Sequence, residues 1–483
     1  MFFNRNWNKY HFLTIALLVK ALMLLFLVHY HSQSDDRFLY GWIFEHNDYH
    51  YFLLPVDNFF EHGRYEYIPG QTFSGRMPGY WFPYMVLRFI FSKAIALNLL
   101  VIGQLVLSAT SVYVLARTAE LILNSKRAFY FTFWIYLIST FTSVFDYQTI
   151  SESFSVSAMI FFFFHLVRYL KDPKKSTLLM AGLFLAWAIF LRPFLGVNLL
   201  LIPLLILVKY RKKFLRTIVH LIIFGIPFIV FESAWVVRNY KVNDKLVLLT
   251  TGVQDYGRVY SPGWQSVRTL FYRWGGQAVY FEPGMAKWFR RDPIEEPFTF
   301  PDYVFEGVDY TYQDIQNLKE RYQAIQNLES DEEFYRQDSL IHWEAQGYLK
   351  SFQEAHPFRY SVWAGVRGMK RLIFSSGSTF LPFPSFGQMN MVQKGIKLFY
   401  SFLYYLLLAG IIPGLWLLLR RKDTRFYGIL IAGLCIQLVL VISYYSQYQG
   451  PRYSITIYPM YVLLLSTVFV HFDRKFKILS KSD

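Results

Sequence analysis

Charge is scarce in this chain: 17% of its 483 residues are Asp, Glu, Lys or Arg, against about 25% in soluble domains. A surface with so few ionised groups cannot all face water, which excludes a soluble two-domain enzyme. Cysteine is nearly absent. The one residue, Cys435, lies in an apolar run, so there is no intrachain disulfide and no cysteine-based zinc site. No Gly-x-x-x-x-Gly-Lys-Ser/Thr phosphate loop occurs. Acids are fewer than bases, 33 against 49, for a net charge of +16. Many of the basic residues sit in short segments beside apolar runs. That pattern reads as topology signals and headgroup contacts rather than nucleic-acid binding. Arg5 and Lys9 precede an apolar run with no small-residue cleavage site after it, which reads as a retained helix.

Apolar residues are abundant: 54% of the chain is hydrophobic and 20% aromatic, with a mean hydropathy of +0.25. Runs close to 20 residues match the ~30 Å bilayer core at 1.5 Å per helical residue. Candidate spans are 11–30, 94–116, 128–145, 150–167, 177–191, 195–208, 217–237, 397–419, 426–444 and 454–472. The expected fold is an all-α polytopic membrane protein with about ten transmembrane helices. A long first outer loop (31–93) lies within a core at 1–237. An insert at 238–396 lies between spans 7 and 8, and C-terminal spans follow at 397–483.

With the N-terminus in the cytoplasm, connections 1–10, 117–127, 168–176, 209–216, 420–425 and 473–483 are inside, and each is basic. The short outside links contribute only Arg192 and Arg452. The positive-inside rule therefore places both termini in the cytoplasm and the two long segments outside. In the insert, Ile315, Leu318, Tyr322, Ile325 and Leu328 form a stripe at helical spacing, read as packing. The basic amphipathic stretch 359–374 is expected to lie along the membrane.

On this topology Asp48, Arg76, Glu152, Arg192, Arg238 and Arg452, from six parts of the chain, share the outer membrane boundary. Guanidinium forks bind phosphate bidentately, and a carboxylate can take a proton from a hydroxyl. Together they suit stabilisation of a phosphate leaving group beside a general base. Nucleotide donors are scarce outside the cytoplasm, so the phosphate is expected to arrive on a lipid.

These residues sit in motifs. Asp48 precedes His62-Gly63-Arg64-Tyr65, and Arg76-Met77-Pro78-Gly79-Tyr80 follows. Then come Thr149-Ile150-Ser151-Glu152, Leu191-Arg192-Pro193, Trp235-Val236-Val237-Arg238-Asn239-Tyr240 and Pro451-Arg452-Tyr453. In this order, over residues 48–453, they resemble the C-type integral-membrane glycosyltransferases that use polyprenyl-phosphate sugars. The closest group looks like the family 39 enzymes, relatives of protein mannosyltransferases and aminoarabinose transferases. The resemblance implies inverting transfer of a sugar from a polyprenyl-phosphate donor to a lipid, glycan or protein acceptor. It implies Asp48 as the base, with Glu152 orienting the acceptor or a metal. Arg192, Arg238 and Arg452 would hold the donor phosphate, and Arg76 would serve either the phosphate or the loop's fold. The family often pairs its first carboxylates. Here Asn47 precedes Asp48, and Asp35-Asp36 lies earlier, so Asp35 and Asp36 stand as alternative acids.

No cofactor is required, although hard oxygens at Asp48 and Glu152 are compatible with Mg²⁺ or Ca²⁺. His46 and His50, spaced i, i+4, read as polar loop residues before metal ligands. Phe161–Phe164 read as lipid-facing bulk, and Trp42, Tyr80 and Trp81 as lesser candidates for sugar stacking. Lys20, inside the first span, reads as snorkelling without a function. The expected setting is a bacterial inner membrane with an extracytoplasmic site, membrane lipids as partners, and no nucleic acid. A lipid-linked glycan polymerase or ligase, and a flippase of lipid-linked sugars, are the alternatives. A flippase predicts mid-membrane charges, broken helices and internal repeats.

Overall fold

The computed structural model describes residues 7–210, 212–244, 246–250, 254–275, 283–290, 300–445 and 451–476. Arg5 and the last part of the C-terminal basic link lie outside the described residues. After helix α1 (Lys9–His31), the first loop is folded. It holds a small antiparallel hairpin, β1 (Phe38–Leu39) and β2 (Ile43–Phe44), then α2 (Tyr49–Phe52), α3 (Leu54–His62) and α4 (Trp81–Ile90). Buried Asp57 ties these helices together. It accepts from the hydroxyls of Tyr49 and Tyr84 at 2.7 and 2.9 Å and faces Lys93 Nζ at 3.0 Å.

The bundle continues through α5 (Lys93–Leu123), α6 (Lys126–Ile138), α7 (Thr140–Ser143), α8 (Glu152–Lys171), α9 (Lys175–Leu191), α10 (Asn198–Tyr210) and α11 (Phe214–Asn243). The insert contributes α12 (Pro262–Arg273), α13 (Pro283–Arg290), α14 (Tyr312–Ile325), α15 (Asp331–Ala355) and α16 (Ala364–Phe374). Helices α17 (Met391–Ala409), α18 (Ile411–Arg420), α19 (Arg425–Leu440) and α20 (Tyr458–Phe476) follow.

Among the described residues, seven helical stretches are long and apolar enough to cross a membrane: Lys9–His31, Lys93–Leu123, Glu152–Lys171, Pro193–Tyr210, Phe214–Val242, Met391–Arg420 and Arg425–Tyr444. The shorter α6 and α9, and α20 with its charged end Asp473-Arg474-Lys475, occupy the other three expected spans. The protein is an all-α polytopic membrane protein. Helices satisfy their own backbone in lipid, where water cannot.

The described parts of four basic links gather at one end. There Lys171 Nζ donates to Asn124 Oδ1 at 2.7 Å, Lys209 Nζ donates to the Leu170 carbonyl at 2.8 Å, and Arg127 pairs with Asp473. The first loop packs at the other end.

Three sequence expectations change. The span at 128–145 is broken: α6 stops at Ile138, and 139–151 is a single helical turn followed by irregular chain. Irregular backbone at membrane depth persists only where protein encloses it, and the described side chains from Phe141 to Ser151 are all buried. Phe161, Phe162 and Phe163 are buried rather than lipid-facing, because α8 runs between α5 and α9. Lys20 does not snorkel; it is buried against Asp146. In the insert, Ile315, Leu318, Tyr322 and Ile325 bury in a separate apolar cluster with Trp264 and Phe271, so the stripe is packing.

Candidate active site

Glu152 opens α8 and is fully buried. A carboxylate in the first turn suits the positive end of the helix dipole. Its Oε1 accepts from both Arg192 and Arg452, and its Oε2 has no hydrogen-bond partner among the described residues. Arg192 owes its place to Pro193. A residue before proline is pushed out of the helical region, so α9 ends at Leu191 and Arg192 is extended, at φ −147° and ψ 99°. Its guanidinium lies against the rings of Tyr453 and Phe194, 5.4 and 5.6 Å from their centroids. Among the described residues, the Arg192 Nε and Nη1 groups are buried without partners. Arg452 stands on a 3₁₀ turn (Pro451–Thr456) and bridges two carboxylates, donating Nε to Glu152 and Nη2 to Asp48.

Asp48 lies at the start of α2, its carbonyl accepting from the amides of Tyr51 and Phe52, each at 3.1 Å. Its own amide donates to His46 Nδ1 at 3.1 Å. Burial alone would push the Asp48 carboxyl up. The Arg452 guanidinium, helped by His46 and Arg76, outweighs that and holds it well below the usual carboxylate range. Burial, then the Arg452 charge, pushes the His46 imidazole down to about 4. A neutral ring with Nδ1 accepting carries its proton on Nε2.

Arg76 lies over the Phe52 ring at 4.9 Å. Its loop is fixed by Gly79, whose amide donates to the Phe190 carbonyl at 3.3 Å and whose carbonyl accepts from Trp187 Nε1 at 3.0 Å. A Cβ at Gly79 would sit 2.3 Å from the Phe190 carbonyl carbon. The Pro-Gly-Tyr segment therefore presses against the end of α9, directly beside Arg192.

The structure thus brings Asp48, Glu152, Arg192 and Arg452 together, with Arg76 alongside. Arg238 is engaged elsewhere: its Nη1 donates to the Phe73 carbonyl and to Asn239 Oδ1, both at 2.8 Å. It ties α11 to the first loop. Asp35 pairs with Arg37, whose hydrogen bonds bring its carboxyl down to about 2, and Asp36 is exposed. Tyr80 and Trp81 are buried, while Trp42 donates to Asn98 Oδ1 at 2.7 Å. His50 faces Glu45 at 3.7 Å rather than joining His46.

The two carboxylates, gripped by guanidinium groups, do not fit a divalent cation as arranged. Among the described residues, no group of three or more His, Cys, Asp or Glu side chains gathers to hold one. Sequence reasoning missed Asp146 and Ser153, one residue beyond Glu152. The signal was the pair of opposite charges, Lys20 and Asp146, in otherwise apolar stretches.

No protein-family model matches the chain, and no curated protein matches it in sequence. Solved structures of the Archaeoglobus fulgidus oligosaccharyltransferase AglB are similar to it. The complex with an inhibitory peptide and a dolichol-phosphate gives a TM-score of 0.43 at 12% identity, over 99% of this chain and 53% of that one. An apo form gives 0.45 at 13% identity, over 98% and 52%. A form tethered to an acceptor peptide gives 0.43 at 11%, over 99% and 52%. The chain spans about half the length of these proteins, and likeness of this degree assigns no residue a role.

Proposed function

We propose that this protein is an integral-membrane glycosyltransferase that moves a sugar from a polyprenyl-phosphate carrier to an acceptor on the extracytoplasmic face. One observation carries the reading. Two arginines converge on one buried carboxylate, and Arg192 keeps two buried donors that find no partner among the described residues. Buried polar groups without partners are rare and mark places where something else binds. Guanidinium donors in a fork match the oxygens of a phosphate.

The donor phosphate would settle on Arg192 and draw Arg452 toward it. Arg452 now holds Asp48, and its departure would free that carboxylate to act as a base. Asp48 would accept the proton of the acceptor hydroxyl as the acceptor oxygen bonds to the anomeric carbon. The bond from that carbon to the phosphate oxygen breaks, with inversion, and the lipid phosphate leaves with its charge on the arginines. Preorganised donors in a dry site stabilise such developing charge most strongly. Glu152 keeps both guanidinium groups aimed. Arg76 supplements the field at Asp48, and Arg238 holds the loop that carries Arg76. The setting we propose is a bacterial inner membrane, with the basic links and both termini in the cytoplasm.

A second reading, a carrier of lipid-linked sugars, is favoured by the broken helix at 139–151 and the buried Lys20–Asp146 pair. Protein reconstituted in vesicles with radiolabelled polyprenyl-phosphate monosaccharides and cell-envelope acceptors separates the two. Label leaving the lipid supports transfer; label crossing the bilayer still on its lipid supports the carrier and overturns the enzyme.

A further inference from the structure

Lys20 lies halfway along α1, about 16 Å from either end at 1.5 Å per residue. It is buried, its Nζ donating to Ser143 Oγ at 2.6 Å and standing 3.5 Å from Asp146 Oδ2. Asp146 is buried too. Its Oδ2 accepts from Ser108 Oγ on α5 at 2.8 Å, and its Oδ1 from Ser153 Oγ on α8 at 2.7 Å. One carboxylate therefore joins α1, α5 and the first turn of α8, next to Glu152.

From Asp146 a run of hydrogen bonds leads to Asp48. Gln104 Nε2 on α5 donates to the carbonyls of Asp146 and Gln148 at 3.2 and 3.1 Å. The Phe44 amide donates to the Tyr147 carbonyl at 2.9 Å, and the Thr149 amide to the Phe44 carbonyl at 3.1 Å. The His46 amide donates to Thr149 Oγ1 at 3.2 Å, and His46 Nδ1 accepts the Asp48 amide. The irregular segment thus carries Glu152 at its end and docks the loop of Asp48 along its side.

Apolar residues can often replace a buried ion pair without loss of stability, so burial alone does not explain this one. A salt bridge with fixed hydrogen-bond partners does impose a register on a segment that has no helix to set it.

We infer that Lys20 and Asp146 are positioning residues for the Asp48–Glu152 pair, acting through segment 139–151. The inference deepens the transferase reading and rests on it for its catalytic meaning. Its test is the double variant Lys20→Met/Asp146→Asn, which removes both charges together and keeps a hydrogen-bonding side chain for Ser108 and Ser153. Amide hydrogen exchange should quicken at least tenfold at Phe44 and Thr149 and stay unchanged along α5 and α9. Transfer should fall at least thirtyfold, with its acidic limb shifted to higher pH as Asp48 slips from Arg452. Lys20→Arg, which keeps the charge, should retain the wild-type profile. Unchanged exchange at Phe44 and Thr149 overturns the inference. So does exchange quickened throughout the bundle, or activity lost with an unshifted pH profile. Wild-type protein that leaves all label on its lipid overturns the transferase reading instead, and the local exchange result stands apart from it.

Discussion

Arg452 donates to the carboxylate of Asp48 across 404 positions of sequence. The contact joins the first loop to the start of the last span, and it holds the proposed base in a weakly basic state. A phosphate able to compete for Arg452 would therefore also switch Asp48 on.

Asp48→Asn removes the base and one claim on Arg452. Transfer should fall about 10²–10⁴-fold, the range for loss of a general base, with no fall in melting temperature beyond a few degrees. Polyprenyl-phosphate affinity should stay the same or rise, because Asn competes less for the guanidinium. Kinetics and direct binding on one preparation check both halves.

Glu152→Gln leaves Arg192 and Arg452 facing each other without their buried counter-charge. Breaking a buried ion pair from one side costs about 3–5 kcal/mol, so the melting temperature should drop clearly. Polyprenyl phosphate should restore more stability in this variant than in wild type, since it supplies the missing negative charge. Thermal melts with and without the lipid measure the difference.

Gly79→Ala places a methyl group against the backbone of Phe190 and Leu191, fixed parts of α9. Overpacking of this kind costs about 1–3 kcal/mol. The displacement passes to Arg76 on one side and Arg192 on the other, so donor KM should rise together with the loss of stability. A variant at Gly103, where nothing lies within 4 Å of an added Cβ, should show neither effect.

The His46 imidazole is held neutral, its pKa lowered from 6.5 to about 4. Between those values the unfolded chain binds a proton that the folded protein refuses, so stability falls as pH drops through that window. Above 6.5 the group contributes no pH dependence. His46→Gln should flatten the decline in melting temperature between pH 6.5 and 4 while leaving the value at pH 8 nearly unchanged.

Much of this was legible in the sequence because the bilayer limits the options. Apolar run lengths mark where helices lie, and the described parts of four basic links meet at one end. Motif order also singles out Asp48, Glu152, Arg192 and Arg452, which come together. The rest depends on neighbours. Phe161–Phe163 look lipid-facing until α5 and α9 enclose α8. Ser139-Thr140-Phe141-Thr142-Ser143 carries no charge that would stop a span, yet α6 ends at Ile138 and Ser139 turns extended, its hydroxyl paired with that of Tyr458. Arg238 shares a motif style with the other arginines, but the Phe73 carbonyl, contributed by a distant loop, takes its donor. Lys20 and Asp146 each stand out as a charge in an apolar stretch, but only the fold makes them partners.

The most direct measurement is equilibrium binding of polyprenyl phosphate to the purified, reconstituted protein and to its Arg192→Gln variant. Wild type should bind saturably, and the variant should lose at least tenfold in affinity, consistent with removing a charge-assisted fork. Equal affinity in both proteins, or no saturable binding to wild type, would contradict the phosphate site on which this reading stands.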